Sequence, residues 1–249
     1  MCYNYSYIQK RGLKASHHAG EITEQEYLEQ VLQLNAGLPV RQGIKISDSA
    51  ITENNLEEQF VFPGMASLVI TIEKLIVEDF QFGFLPEWSK DYKDFRKNFN
   101  ARSETILEKP TWRKAFQKNQ RCLIISSAFF EENNKTKQRY RFSLNTKEPL
   151  LYAGIYSNWI DKKDGVVVPT FAIITCEANE TVAPYHNRMP VILKKEAQEK
   201  WLDKKLNHEL IYDLLLPISS SAMIAIETNP LEHKKKKETK KDRQLGFEF

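Results

Sequence analysis

RCLIISSAFFE, residues 121–131, combines apolar, β-branched and aromatic residues on both sides of a serine pair and ends in a carboxylate. Such residues favour extended structure, and we predict a strand over 121–127. Further strands are predicted at 59–62, 67–72, 79–84, 139–144, 150–156, 166–176 and 222–227. Because these segments do not alternate regularly with helices, the sequence predicts an α+β fold with a largely antiparallel sheet.

Helical patterns are few and lie between the predicted strands. Residues 21–35 and 194–206 repeat their apolar residues at near-helical spacing. A third helix is predicted over 110–118, with Pro110 in its first turn, and a short fourth one over 208–216. We therefore expect helices that flank the sheet.

The length and composition suit one domain. With 249 residues, 41% of them hydrophobic and 28% charged, the chain is able to bury a full core. We assign residues 2–230 to this domain. The first thirty residues lack the apolar segment of a secretory signal, and no run reaches the roughly 18 apolar residues of a membrane span. We expect a soluble, cytoplasmic protein that does not bind membranes, and nothing in the sequence demands more than a monomer.

Charge is distributed unevenly along the chain. Residues 229–249 carry seven Lys/Arg and four Asp/Glu, whereas residues 1–228 carry 29 of each. The domain therefore has no uniformly basic coat, and any site for DNA on it must be a local patch.

The segment 231–249 is predicted to be a disordered basic tail. Its last residues, Gln244–Phe249, are partly apolar, which leaves two interpretations open. They form either a frayed end or a peptide that docks on a partner. Gln244-Leu245-Gly246-Phe247 resembles the binding motif of the bacterial sliding clamp, although the Leu-Phe pair expected near the end is only partly matched.

The three cysteines do not form a disulfide framework or a zinc site, because their spacing is long and irregular. Cys122 and Cys176 lie in apolar strand-like runs and are predicted to be buried. Cys2 is different: once Met1 is removed, its amine and thiol together can close a thiazolidine ring on an aldehyde. No metal-binding spacing, P-loop or GxGxxG is present, so we expect no metal and no cofactor.

Several polar residues allow a structural and a functional interpretation. Glu131 is either a solvated residue at a strand end or a general acid or base. His186 is either structural or a proton shuttle with a pKa suited to neutral pH. The aromatic and basic segment 91–102, which contains Asn100, is either an amphipathic surface or a site for bases and phosphates. Trp88 is either a stacking residue or a plug of the core.

Three motifs, read together with Cys2, resemble one family. They are Asn100-Ala101-Arg102-Ser103-Glu104-Thr105, Ala128-Phe129-Phe130-Glu131 and His186-Asn187-Arg188-Met189-Pro190, in this order. Together with Phe82–Trp88 and Thr170–Thr175, they make the chain similar to the SOS-response-associated peptidase (SRAP) family over about residues 2–230. Members of this family crosslink to abasic sites in single-stranded DNA.

The resemblance implies a β-barrel-like core and an enzyme that removes its own Met1. It implies a thiazolidine crosslink from Cys2 to the opened sugar of an abasic site, with lyase-like activity. By the same resemblance, Asn100, Glu131 and His186 join Cys2 in the active centre. DNA contacts are implied for Trp88, Arg102, Thr175 and Arg188, and the protein is expected in the cytoplasm at the nucleoid.

The chain departs from the family pattern at two places. The family commonly begins Cys-Gly-Arg, whereas this chain has Cys2-Tyr3-Asn4. The family's Gly-Phe-Tyr-Glu-Trp is here Ala128–Glu132, so that Glu132 replaces a tryptophan. Two other functions remain open: a cysteine peptidase that acts on other proteins through Cys2 and His186, and a non-enzymatic DNA-binding module tethered to the clamp.

Overall fold

A computed structural model describes residues 4–10, 19–23, 26–27, 30, 56–73, 77–133, 135–146 and 148–228. These residues form β1 (Asn4–Lys10), β2 (Leu56–Val61), β3 (Ala66–Thr71), β4 (Val77–Phe82), β5 (Asn100–Arg102), α1 (Pro110–Gln117), β6 (Arg121–Ser126), β7 (Ala128–Glu132), β8 (Arg139–Leu144), β9 (Leu150–Ile160), β10 (Val167–Glu177), β11 (Arg188–Pro190), α2 (Lys195–Trp201), α3 (His208–Tyr212) and β12 (Met223–Thr228). Short 3₁₀ turns lie at Tyr92–Lys97, Ser103–Thr105 and Ser220–Ala222. Within this part of the chain, no helix is long and apolar enough to span a membrane.

Five strands close into a barrel in the order β10-β4-β3-β6-β9, because β9 pairs back onto β10. All of these pairings are antiparallel except β4 with β10. The barrel is filled by apolar side chains, among them the stacked rings of Phe82 and Phe171. The predicted α+β class with a largely antiparallel, barrel-like core is therefore confirmed.

A second sheet adjoins the barrel in the order β12-β8-β7-β1-β2, and every pairing in it is antiparallel. The run 121–131 passes from one sheet to the other at Ser127, whose amide donates to Ser6 O at 2.7 Å. The predicted strand 121–127 thus ends at Ser126, and a new strand begins at Ala128.

Most predicted elements are present, with shifted bounds. β4 ends at Phe82 and not at residue 84, because Gly83 takes a φ of 130° and lies against Phe95. A side chain at position 83 would stand 2.8 Å from the Phe95 ring. Strand β1 was not predicted. The predicted helix over 21–35 and the tail over 231–249 lie largely or wholly outside the described residues.

The predicted helix over 194–206 is shorter than expected, since α2 ends at Trp201. The buried guanidinium of Arg121 explains this end: it donates to Trp201 O and to Asp203 O, each at 2.8 Å. The last carbonyls of a helix have no partner within the helix, and here a side chain from β6 supplies the donor. The indole of Trp201 donates in turn to Cys122 O at 2.9 Å.

Gly154 lies where β9 pairs with both β6 and β10, so it stands at the closure of the barrel. A methyl group there would meet Ile124 Cδ1, Cys122 Sγ at 2.9 Å and the Ala172 carbonyl at 3.1 Å. We expect Gly154→Ala to lower the free energy of unfolding by about 1–3 kcal/mol, as overpacking of a core does. Chemical denaturation measures this, and an unchanged midpoint would contradict the close packing at this point.

Candidate active site

The amino-terminal strand leads towards a buried carboxylate. Asn4 is the first residue of β1, and its Cα pairs with that of Phe130 on β7, one residue before Glu131. Cys2 lies outside the described residues. Two residues of chain span at most about 7 Å, however, so that covalent geometry keeps the Cys2 Cα within this distance of Asn4 Cα.

Glu131 is placed by the alternation of β7. It shares the face of Phe129, whose ring stacks on Phe142 at 4.9 Å, and it lies opposite Tyr140 in the register. Only 8% of Glu131 is exposed. Burial raises the pKa of its carboxyl group to about 7, against the opposing effect of the positively charged amino terminus. Near neutral pH this group is therefore able to both donate and accept a proton.

His186 follows a turn that Asn179 organises. The Asn179 side chain accepts from the amide of Val182 at 3.1 Å and donates to Ile218 O at 2.9 Å. Burial lowers the pKa of His186, and the charge of the amino terminus lowers it further. The Arg188 amide donates to Nδ1 at 2.9 Å. Nδ1 also lies 3.1 Å from the Arg188 carbonyl oxygen, so the backbone of Arg188 fixes the orientation of the ring, while the lowered pKa favours the neutral imidazole.

The two sheets bring Glu131 and His186 onto neighbouring elements. Tyr140, the register partner of Glu131, packs its ring 4.0 Å from that of Tyr185, the residue before His186. The pKa values of Glu131 and His186 both respond to the charge of the amino terminus. The contact between the Tyr140 and Tyr185 rings therefore brings the segments that carry Glu131 and His186 next to each other.

Asn100 lies at the same end of the barrel. It begins β5, which runs parallel to β10 with Asn100 opposite Ile173, and its residue is partly buried. The strand β11, two residues after His186, pairs with the next residues of β10, Thr175 to Glu177. The long strand β10 thus holds both the Asn100 segment and the His186 segment at one edge.

The residues predicted to contact DNA fall into different environments. Arg102 is exposed at the end of β5. Arg188 is only 8% exposed, and its guanidinium donates to both carboxylate oxygens of Glu104, at 2.6 and 2.9 Å, and to Thr175 O at 2.6 Å. Thr175 is itself buried. A phosphate that binds Arg188 must therefore compete with Glu104, a partner that the sequence analysis did not single out.

Trp88 is 56% exposed, so it does not act as a plug of the core. It lines a shallow groove with apolar residues that include Phe84, Pro86, Pro110 and Ala115. The surrounding segment 87–118 carries nine Lys/Arg, all on exposed residues, against five Asp/Glu. The segment thus has an excess of four positive charges (nine minus five), although Lys97 pairs with Asp94, and Lys114 and Lys118 pair with Glu87.

The fold and the site together define a class of protein: an α+β protein with a closed five-stranded barrel and an adjoining sheet, whose first strand pairs next to a buried carboxylate. The chain belongs to the SOS response associated peptidase (SRAP) family, whose model matches residues 24–231.

Relatives and solved structures agree with this membership. Over 155 residues, 61% of this chain and 67% of the relative, the chain is 36% identical to the abasic site processing protein YoaM of Bacillus subtilis. It is 34% identical over 152 residues to the abasic site processing protein HMCES of Gallus gallus, covering 51% of this chain and 45% of that protein. A crystal structure of a protein from Bacteroides thetaiotaomicron superposes with a TM-score of 0.68 at 26% identity, covering 92% of each chain.

Proposed function

We propose that this protein acts in the DNA-damage response by processing abasic sites, and that Cys2 forms a covalent crosslink with the abasic site of single-stranded DNA. One observation carries the proposal most directly. The Cα of Asn4 pairs with that of Phe130, the residue before the buried Glu131, whose pKa is raised to about 7. Cys2 precedes Asn4 by two residues. The names of the similar proteins, which are called abasic site processing proteins, support the same substrate.

The first step is the removal of Met1. The Cys2 thiol adds to the carbonyl carbon of Met1, and the peptide nitrogen takes a proton to become the free amine of Cys2. Water then hydrolyses the thioester and releases methionine. Glu131 supplies and takes up the protons, which its pKa near neutrality allows.

The second step joins the protein to the DNA. The neutral Cys2 amine adds to the aldehyde carbon of the ring-opened sugar, and the carbinolamine loses water to give a Schiff base. The thiol sulfur then adds to the imine carbon, and its proton passes to the nitrogen. The thiazolidine ring closes with a net loss of one water molecule, and Glu131 protonates the departing hydroxyl group.

His186 and Asn100 assist at the same centre. The neutral imidazole of His186 transfers protons during Schiff-base formation and during reversal of the crosslink. Asn100 orients the opened sugar or the terminal residue through its amide. Neither role needs a metal or a cofactor, and Glu131, His186 and Asn100 come from three different segments of the chain.

The DNA strand approaches across the positive segment 87–118. Arg102 binds a phosphate at the mouth of the site, and Trp88 stacks on a base. Arg188 and Thr175 complete the phosphate contacts once a phosphate displaces Glu104 from Arg188. A clamp as second partner, bound through Gln244–Phe249, stays a prediction because this segment lies outside the described residues.

The test is the intact mass of the purified protein, before and after incubation with an oligonucleotide that carries one central abasic site. We expect the mass of Met1 to be missing, and then a gain equal to the oligonucleotide minus one water that survives denaturation. The same oligonucleotide with an intact base serves as control. A protein that retains Met1 and forms no adduct would refute the proposal.

A further inference from the structure

A buried arginine holds the first described residue of the chain. Arg139 on β8 is 4% exposed, and its Nη2 donates to Oδ1 of Asn4 at 2.8 Å. The guanidinium carbon stands 4.1 Å from the centroid of the Phe130 ring and 5.6 Å from that of Phe60. Such cation–π contacts strengthen when the cation is withdrawn from water. Arg139 is thus fixed on three sides.

The charges around Arg139 keep it cationic despite its burial. Burial lowers the pKa of Arg139, while the negative charges of Glu132 and Glu58 act in the opposite direction. Glu132 is the register partner of Arg139 on β7. Arg141, two residues further along the same strand, faces Glu58 at 3.4 Å. Asn4 and Glu132, two of the residues that depart from the family pattern, therefore both adjoin Arg139.

Arg139 does not share the face of the catalytic carboxyl group. Asn4 pairs with Phe130, and Glu132 pairs with Arg139, so these four residues lie on one face of the sheet. Glu131 alternates with them and lies on the opposite face. Arg139 therefore has no direct part in the proton transfers at Glu131, and its effect on the reaction must pass through the strand β1.

The anchoring matters because Asn4 is the described residue nearest to Cys2. Among the described residues, β1 pairs with β7 through Asn4, Tyr5 and Ser6. Chain ends are ordered only where contacts tie them down. Since Cys2 precedes Asn4 by only two residues, a movement of Asn4 also moves the Cys2 amine and thiol.

We propose that Arg139 is a positioning residue: its hydrogen bond to Asn4 and its cation–π contact with Phe130 hold the start of β1 so that Cys2 meets the aldehyde beside Glu131. This inference rests on the proposed crosslinking function. A displacement of about 1 Å at a reacting group is able to slow a reaction roughly 100-fold. Loss of the anchor therefore lowers the maximal crosslinking rate and leaves DNA binding in place.

The experiment measures the crosslinking rate against the concentration of abasic-site oligonucleotide for wild type, Arg139→Gln, Asn4→Ala and Asn4→Asp. Arg141→Gln is the matched control, because it removes a positive charge from the same strand without touching Asn4. We expect Arg139→Gln and Asn4→Ala to lower the maximal rate roughly 10- to 100-fold with an unchanged half-saturating concentration. Asn4→Asp, which keeps an acceptor for Arg139, recovers most of the rate. The double variant Arg139→Gln/Asn4→Ala loses no more than either single one.

The outcomes separate this inference from the proposed function. A wild-type protein without adduct refutes the function, and the positioning role with it. A wild-type protein that crosslinks while Arg139→Gln slows no more than Arg141→Gln overturns the positioning role alone. The positioning role is also overturned if the maximal rate of the double variant falls by the product of the two single-variant reductions. If Arg139→Gln fails to fold, the crosslinking rates of Asn4→Ala and Asn4→Asp are compared instead, since both variants change a partly exposed residue at the strand end. Equal rates for these two variants overturn the positioning role.

Discussion

Cys2→Ala is expected to form no denaturation-stable adduct with abasic-site DNA, a loss of at least about 100-fold against wild type. Without the thiol, the alanine protein does not remove Met1 by the proposed route, and the terminal amine that remains gives only a Schiff base that water reverses. Only a thiol on the adjacent carbon closes the ring and traps the product. Denaturing gel electrophoresis after incubation with a labelled oligonucleotide measures the yield.

The control for this prediction is Cys122→Ala. Cys122 is completely buried in the barrel, and burial raises the pKa of its thiol far above the ordinary value. A thiol that stays protonated and inaccessible does not react with DNA. We expect Cys122→Ala to crosslink as wild type does. An adduct of normal yield from Cys2→Ala would assign the reaction to another residue and end the present proposal.

Glu131→Gln is expected to slow crosslinking roughly 100-fold at pH 7, the usual contribution of a general acid or base. The pH profile should change as well. In wild type, the rate rises as the Cys2 amine loses its proton and falls as Glu131 ionises near pH 7. The glutamine variant lacks the second inflection, because its amide does not titrate in this range. Single-turnover rates between about pH 5.5 and 8.5 measure both profiles.

The raised pKa of Glu131 also affects stability. Between the ordinary value of 4.5 and about 7, the folded protein keeps a proton at Glu131 that the unfolded chain has lost. The contribution of this group to stability is therefore present below pH 4.5 and decreases as the pH rises through 7. Its full size is on the order of 3 kcal/mol. We expect Glu131→Gln to gain stability relative to wild type between pH 5 and pH 8.

Thermal unfolding of both proteins at pH 5 and pH 8 tests this linkage. Glu148→Gln, which alters an exposed carboxylate in the loop before β9, serves as control and is expected to follow wild type at both pH values. If the difference in melting temperature between Glu131→Gln and wild type were the same at the two pH values, the Glu131 carboxyl group would not be perturbed by burial.

Strand prediction succeeded at 139–144, whose bounds match β8, and at 150–156, which β9 extends to Ile160. Apolar and aromatic side chains of both strands pack in the core. The break at Ser127 was not predicted, because apolar and aromatic residues continue on both sides of Ser126-Ser127. The change of sheet depends on a hydrogen bond from Ser127 to Ser6, which is 121 residues away.

The sequence by itself determined the α+β class, most of the strands, the burial of Cys122 and Cys176, and the chemical capacity of an amine and a thiol on Cys2. These follow from local side-chain chemistry and its spacing. Only the tertiary structure decided the raised pKa of Glu131, the pairing of Arg188 with Glu104 and the hold of Arg139 on Asn4. The last two join residues 84 and 135 positions apart. Burial and contact depend on which distant segments meet, and no local pattern encodes that.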